Sequence, residues 1–403
     1  MKKHIYLSEP ALICCAGQNA NELYESCLSG NQGGFVMREY DEGKMFPVGQ
    51  ISAELTEVDF SFLEKFYTKD TQIFTGNTRI IRIINTALEQ LESIVEKAKA
   101  KYGQEKIGVC FGSCDNGSEA SFIAHKALFK NNAFPNEYTL HFQSASFPAE
   151  YISHKFGLKG PVFTVATACA SGASAIMRGA ELIRAGLCSA VIAGGADIVS
   201  QTVFTGFNVL EAVSDKPTNP FSKNRKGINL GEGAAFFLLG AEEISDVKLL
   251  GAGESADAYH ITAPGLDGTG PVKAMQAALL QAGLESSQVG YVNLHGTGTE
   301  LNDKAEALAM QRVFNANMVH ANSTKPITGH TLGAAGALEA AICWMVLTSK
   351  RGIPVHCWDG ISDEELPFIP ASGCGNETPS VCMTNSFAFG GCNVSLILGK
   401  QHD

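Results

Sequence analysis

One cysteine, two histidines and one lysine in this chain sit in settings that would let them do nucleophilic and acid–base chemistry. Cys169 lies within Val162-Phe163-Thr164-Val165-Ala166-Thr167-Ala168-Cys169-Ala170-Ser171-Gly172-Ala173. The β-branched apolar run from Val162 reads as a short buried strand. The small residues after Cys169 open a helical pattern with Ile176, Met177, Ala180 and Ile183 on one face. A cysteine where a strand feeds a helix faces the amide end of that helix. That end favours an anion, so a stabilised thiolate is expected there. Cysteine is otherwise often a small core hydrophobe. The strand-end position and the small-residue helix set Cys169 apart.

The histidines come later. His295 ends an apolar strand in Asn293-Leu294-His295-Gly296-Thr297-Gly298-Thr299. His330 and Lys325 share Asn322-Ser323-Thr324-Lys325-Pro326-Ile327-Thr328-Gly329-His330-Thr331-Leu332-Gly333. A lone histidine at a strand end is usually structural. Two in Gly/Thr loops beside element termini are harder to dismiss as structural. Lys325 lies among small and apolar residues, where a buried ammonium needs a partner. Glu339, on the helix that follows, is that partner. In Asn385-Ser386-Phe387-Ala388-Phe389-Gly390-Gly391-Cys392-Asn393 the glycine pair allows a mobile turn, so Phe389 reads as a gate.

These loops need a scaffold of alternating strands and helices. Strands are expected over 5–15, 107–111, 162–166, 189–194, 234–239 and 289–294, from Val247, and near Val381 and Val394. Helices are expected over 21–29, 78–101, 119–130, 148–156, 170–185, 205–212, 270–282, 303–314 and 332–349. Residues 35–63 show no clear period. The turn from Gly112 to Gly117 reads as a tight loop near the site, and 217–233 as a polar loop. Both halves alternate in the same way, and each holds a small-residue helix behind a functional loop. This predicts a duplicated α/β unit, with halves 1–240 and 241–403.

Composition excludes other classes. The 403 residues hold enough chain for two packed halves. A net charge of -11 argues against nucleic acid as a partner. The 12 cysteines show no CxxC pair and no metal spacing, which suits reduced thiols in the cytoplasm. Lys2 and Lys3 ahead of the apolar residues 11–16 imitate a leader, but Glu9 and Pro10 interrupt it. No stretch is expected to cross a membrane.

The motifs resemble those of the elongating β-ketoacyl-acyl-carrier-protein synthases, condensing enzymes with a thiolase-like α/β fold layered α-β-α-β-α. The resemblance rests on Thr167-Ala168-Cys169-Ala170, His295-Gly296-Thr297-Gly298-Thr299, Ser323-Thr324-Lys325 with Gly329-His330, and Asn385-Ser386-Phe387-Ala388-Phe389-Gly390-Gly391. Asp257-Ala258-Tyr259-His260 and the run from Arg225 to Gly233 match more weakly. Ala388 stands where the family usually has Gly, Asn229 in a stretch usually more apolar, and Glu211 near a position usually basic.

The resemblance implies catalysis by Cys169, His295, His330 and Lys325, supported by Glu339 and Phe389. It implies substrate contacts from Thr297, Thr299, Phe207 and Phe389, and an oxyanion hole from the backbone N–H groups of Cys169 and Phe389. Lys325 is expected to polarise the site beside His330. No bound cofactor or metal is implied, because the substrate arrives on the phosphopantetheine arm of an acyl carrier protein. A homodimer is implied, or a heterodimer with a related subunit. The rivals are a degradative thiolase, a non-catalytic chain-length-factor-like partner and a Cys/His hydrolase. Lys216, Lys223, Arg225 and Lys226 form a candidate basic docking patch near the tunnel mouth, with Arg79, Arg82, Lys126 and Lys130 as the alternative.

Overall fold

The computed structural model describes residues 4–41, 43–58, 79–115, 117–135, 138–314, 319–370 and 378–400. The first half runs β1 (Tyr6–Leu7), β2 (Ala11–Cys14), α1 (Ala20–Ser29), β3 (Phe35–Asp41), β4 (Lys44–Gly49), α2 (Arg79–Glu89) and α3 (Glu92–Tyr102). It continues with β5 (Ile107–Gly112), α4 (Ser118–Asn131), α5 (Phe147–Lys155), β6 (Val162–Val165), α6 (Ser171–Arg184), β7 (Ala190–Asp197), α7 (Gln201–Val209) and β8 (Gly233–Gly240). The second half runs β9 (Val247–Ala256), α8 (Thr269–Ala282), β10 (Tyr291–Asn293), α9 (Glu300–Phe314), β11 (His320–Asn322), α10 (Lys325–Thr328), α11 (Ala335–Ser349), β12 (Val381–Phe387) and β13 (Cys392–Lys400).

The strand order repeats. In the first half β6, β5 and β7 are parallel neighbours, and β8 joins β7 antiparallel. In the second, β11, β10 and β12 are parallel neighbours, and β13 joins β12 antiparallel. The first strands of each half, β1 and β2 or β9, pair antiparallel with β8 or β13. Tyr6 pairs with both Gly240 and Lys248, so β1 stitches the half-sheets into one.

Five layers result. Helices α2 and α5 cover the outer face of the first half-sheet, and α8 that of the second, with α9 against α8. Between the half-sheets α6 and α11 pack on each other. The middle layer needs small residues. A methyl on Gly172 would sit 2.6 Å from the Gly333 carbonyl oxygen, and one on Gly336 would sit 2.8 Å from Ala173 Cβ. Leu332–Ser349 is 18 residues long and apolar enough to cross a membrane by length and composition, against expectation. It is a core element, 83% buried.

Other boundaries also differ. The helix expected over 78–101 breaks into α2 and α3. At the break Gln90 turns to donate to the Leu12 and Gln18 carbonyls and to accept from the Leu12 N–H. Helix α7 starts earlier than expected because Ser200 caps it, accepting from the Val203 N–H at 3.2 Å. In the stretch without clear period, β3 and β4 form a hairpin. Tyr40 of β3 stacks on Phe204 of α7, with ring centroids 3.7 Å apart. The end of that stretch at Leu63, the expected helix start at Thr78, and Asn116 lie outside the described residues.

Candidate active site

The chain leaves β6, turns through a 3-10 segment at Ala168–Ala170 and enters α6. Ala168 holds φ at 48°. A non-glycine residue there is strained, and the strained turn places Cys169 ahead of the helix. Cys169 is 3% exposed. Burial pushes its thiol up to about 12, while Lys325 and the amide at its own position pull it down. Desolvation is the largest of these influences and opposes the stabilised thiolate expected from the strand-to-helix position.

His330 meets it. Its Nε2 lies 3.0 Å from Cys169 Sγ. Burial, followed by the charge of Lys325, holds His330 well below the ordinary histidine range, so the ring is neutral. His295 lies beside it, ring centroids 5.4 Å apart and nearly perpendicular. Burial, then Lys325 and His330, keep His295 neutral too. Lys325 Nζ sits 3.4 Å from His295 Nδ1 and donates to the His295 carbonyl at 2.5 Å. An ammonium has only protons to give. Nδ1 therefore accepts, and the single ring proton of His295 sits on Nε2. Lys325 thus bonds to His295 directly, and its charge also reaches His330, beside which it was expected to act. Its charge is answered by Glu339, as expected, in a buried ion pair. Burial pushes the Glu339 carboxyl up to about 7 against the pull of Lys325.

The loop that presents His295 is held by carboxylates absent from the sequence reading. Glu306 accepts from the backbone N–H of His295 at 2.8 Å and of Gly296 at 2.7 Å. Asp303 accepts from the N–H of Gly298 at 3.2 Å and of Phe221 at 2.8 Å. Their signal was available: two acids one helical turn apart on α9, directly behind a Gly/Thr loop. Asp197 was missed as well. It closes β7 and accepts from Ser113 Oγ and the N–H groups of Cys114, Asp115 and Gly333 at 2.5–2.9 Å. Asn229 is likewise fully used inside the fold. It accepts from the Thr218 N–H and donates to the Ser214 and Lys216 carbonyls.

A cavity of about 440 Å³ opens from the surface onto Cys169 and is lined also by His295, His330, Thr297, Thr299, Phe207 and Phe389. The structure brings these seven together. Lys325 and Glu339 stand behind the histidines, outside the lining. The Thr297 and Thr299 hydroxyls are 2.9 Å apart. Phe207 and Phe389 stack with centroids 5.3 Å apart. The Phe389 turn depends on Gly390 and Gly391, at φ 82° and 74°. Asp257, from the weaker motif match, anchors it: its N–H donates to the Gly391 carbonyl at 2.8 Å and its carboxylate accepts from Asn393 at 2.7 Å.

The candidate docking residues divide. Lys226 and Arg225 line the cavity mouth. Arg225 is committed to an ion pair with Asp363 at 2.5 Å. Lys216 and Lys223 are exposed and stand off the mouth. In the alternative patch Arg79 is tied to Glu232 and Arg82 to Glu57.

A buried thiol and two neutral imidazoles line one cleft, with a lysine-carboxylate pair behind them, an arrangement suited to acyl transfer. Comparison with known proteins agrees. Residues 11–243 match the beta-ketoacyl synthase N-terminal domain, and residues 247–356 the C-terminal domain. The 3-oxoacyl-[acyl-carrier-protein] synthase 2 of Vibrio cholerae is 36% identical over 73% of this chain and 76% of its own. A chain from the complex of a Xenorhabdus doucetiae ketosynthase with its chain length factor superposes with a TM-score of 0.89 at 34% identity over 99% of this chain and 98% of its own. A beta-ketoacyl synthase from Burkholderia phymatum superposes with a TM-score of 0.84 at 26% identity, covering 99% of this chain and 100% of its own. The chain belongs to the β-ketoacyl synthase family, and it is a condensing enzyme of the acyltransferase type with the thiolase-like fold.

Proposed function

We propose that this protein extends an acyl chain by two carbons, condensing a malonyl group on an acyl carrier protein with an acyl group held on Cys169. The observation that carries the reading is the 3.0 Å approach of His330 Nε2 to Cys169 Sγ in a cleft of about 440 Å³ lined by both residues. In the first half-reaction Sγ attacks the acyl thioester. Its proton goes to the departing pantetheine sulfur. In the second, the malonyl thioester loses carbon dioxide, and the electron pair of the broken C–C bond becomes an enolate. N–H groups on the Nε2 edges of His295 and His330 hold that charge, where a carboxylate base would repel it. The enolate carbon attacks the Cys169 thioester, and Sγ leaves as a thiolate that recovers a proton. The backbone N–H groups of Cys169 and Phe389 hold the thioester oxygen in both acyl steps. Thr297 and Thr299 bond the pantetheine arm, and Phe389, stacked on Phe207, gates the acyl side.

The chemistry needs no resident cofactor. The chain divides near residue 240 and works in the cytoplasm, where its thiols stay reduced; the eleven cysteines among the described residues are free. It pairs with a second subunit of the same fold, and the likeness to a chain of the Xenorhabdus complex favours a chain-length-factor-like partner over a second copy. The test is intact-protein mass spectrometry after incubation with a panel of acyl carrier proteins. A gain of one acyl group, mapped to Cys169, is expected. No gain with any donor would leave a non-catalytic subunit as the better reading.

A further inference from the structure

We propose that Asp115 is a positioning residue for the acylation step: it seats the N-terminus of α7, and through α7 it sets where Phe207 stands against Phe389. This rests on the ketosynthase reading. The turn behind β5 lies against the start of the nucleophile's helix, since a methyl on Gly112 would sit 2.4 Å from the Ser171 carbonyl. Asp197 fixes that turn. It accepts from Ser113 Oγ at 2.6 Å and from the N–H groups of Cys114 and Asp115 at 2.8 and 2.9 Å. The Asp115 side chain then reaches on from this frame. It is buried, and its Oδ1 accepts from Ser200 Oγ at 2.7 Å and from Ser118 Oγ.

Ser200 is the cap of α7, and a hydroxyl has one proton to give. That proton goes to Asp115, which leaves the oxygen turned to accept from the Val203 N–H at 3.2 Å. Glu119 takes the Gln201 N–H beside it at 3.0 Å. Phe204, stacked on Tyr40, holds the middle of the helix, and the seat at Asp115 sets its tilt. The far end is loose by comparison: Val209 and Leu210 are exposed. Phe207 lies toward that end, lines the cavity and stacks on Phe389. It stands about 9 Å along the axis from Gln201, at 1.5 Å per residue. A tilt of about 6° at the seat therefore shifts Phe207 by about 1 Å, a displacement large enough to slow a positioned reaction.

The experiment follows two half-reactions of the full-length protein. Acylation of Cys169 by a small acyl-pantetheine thioester is read as intact mass, and carbon dioxide release is read from malonyl carrier protein. Asp115→Ala and Ser200→Ala should each slow acylation on the order of ten-fold. The double variant should slow it no further than the slower single, because both changes break one bond. Carbon dioxide release should stay normal, since His295 and His330 stand on loops that the Asp115 side chain does not bond. Asp115→Asn keeps an oxygen for Ser200 and should restore acylation. Ser118→Ala breaks the other bond to the same oxygen, on α4, and should acylate normally. Thermal melting checks each fold, and Ser200→Ala carries the test if Asp115→Ala does not fold. Normal acylation by both single variants, loss of both half-reactions together, or equal slowing by Ser118→Ala would overturn the proposal. No acylation of the unmutated protein by any donor would overturn the ketosynthase reading instead.

Discussion

The two halves make the same turn and use it differently. After β6 the chain passes Ala168 at φ 48°, a 3-10 turn and then α6; before α11 it passes Leu332 at φ 54° and a 3-10 turn at Leu332–Ala334. The residue after the strained position is Cys169 in the first half and Gly333 in the second. Sγ of Cys169 looks into the cleft toward His330. Gly333 has no side chain, and its N–H is taken by Asp197 at 2.5 Å. A methyl on Gly333 would come within 2.5 Å of that carboxylate and 2.8 Å of the Cys114 nitrogen. One copy of the turn presents a nucleophile, and the other braces the first. A duplicated backbone therefore duplicates the strain, and the side chain next to it decides the use.

Five outcomes test that contrast, beginning with the largest. Cys169→Ala should abolish acylation outright, read as intact mass. Label that persists, or that maps to Cys114 or Cys392, would move the nucleophile out of the first turn. His295→Ala and His330→Ala should each slow malonyl decarboxylation by about 10²–10³. For His295→Ala, acyl transfer to Cys169 should fall far less. Full decarboxylation in either variant would remove that histidine from the second step.

Gly333→Ala should destabilise the fold by about 1–3 kcal/mol, because backbone and a carboxylate fill the space. A normal melting temperature would mean that the second turn braces nothing. The fourth outcome concerns protonation. With the Cys169 thiol pushed up to about 12 by burial, iodoacetamide labelling of the empty enzyme should keep rising with pH past 9. A plateau near neutrality would restore the resting thiolate.

The last and smallest effect is a slope in stability. Burial raises Asp197, Glu306 and Glu339 to about 7 each. Their folded forms keep protons that the unfolded chain releases near pH 4. Their share of stability is therefore full below about pH 4, declines as pH rises toward 7 and is gone above it. The two buried histidines act oppositely: held neutral in the fold, they cost stability as pH drops below about 6.5. Melting temperature against pH for Asp197→Asn should show a shallower decline from pH 4 to 7. An unchanged slope would mean that Asp197 is ionised throughout.

Much of this was legible in the chain. The placing of Cys169, His295 and His330 at element ends was legible, since small residues and β-branched runs leave little choice of local structure. The Lys325–Glu339 pair was legible because a buried ammonium demands a partner. The hairpin at β3 and β4 was not: its stacking of Tyr40 on Phe204 joins residues far apart in the chain. The break between α2 and α3 was hidden too, because an apolar period runs through it and only the contacts of Gln90 with Leu12 and Gln18 decide it.

The sequence by itself determined which chemically able side chains stand at element ends and that the α/β pattern repeats, because periodicity and local turn chemistry are properties of neighbouring residues. Only the tertiary structure decided that burial pushes the Cys169 thiol up, that Lys325 bonds to His295, that Arg225 is spent on Asp363, and that one cleft joins Cys169 to both histidines. Each of these depends on how much water is left around a group and which distant atoms replace it, and packing settles both.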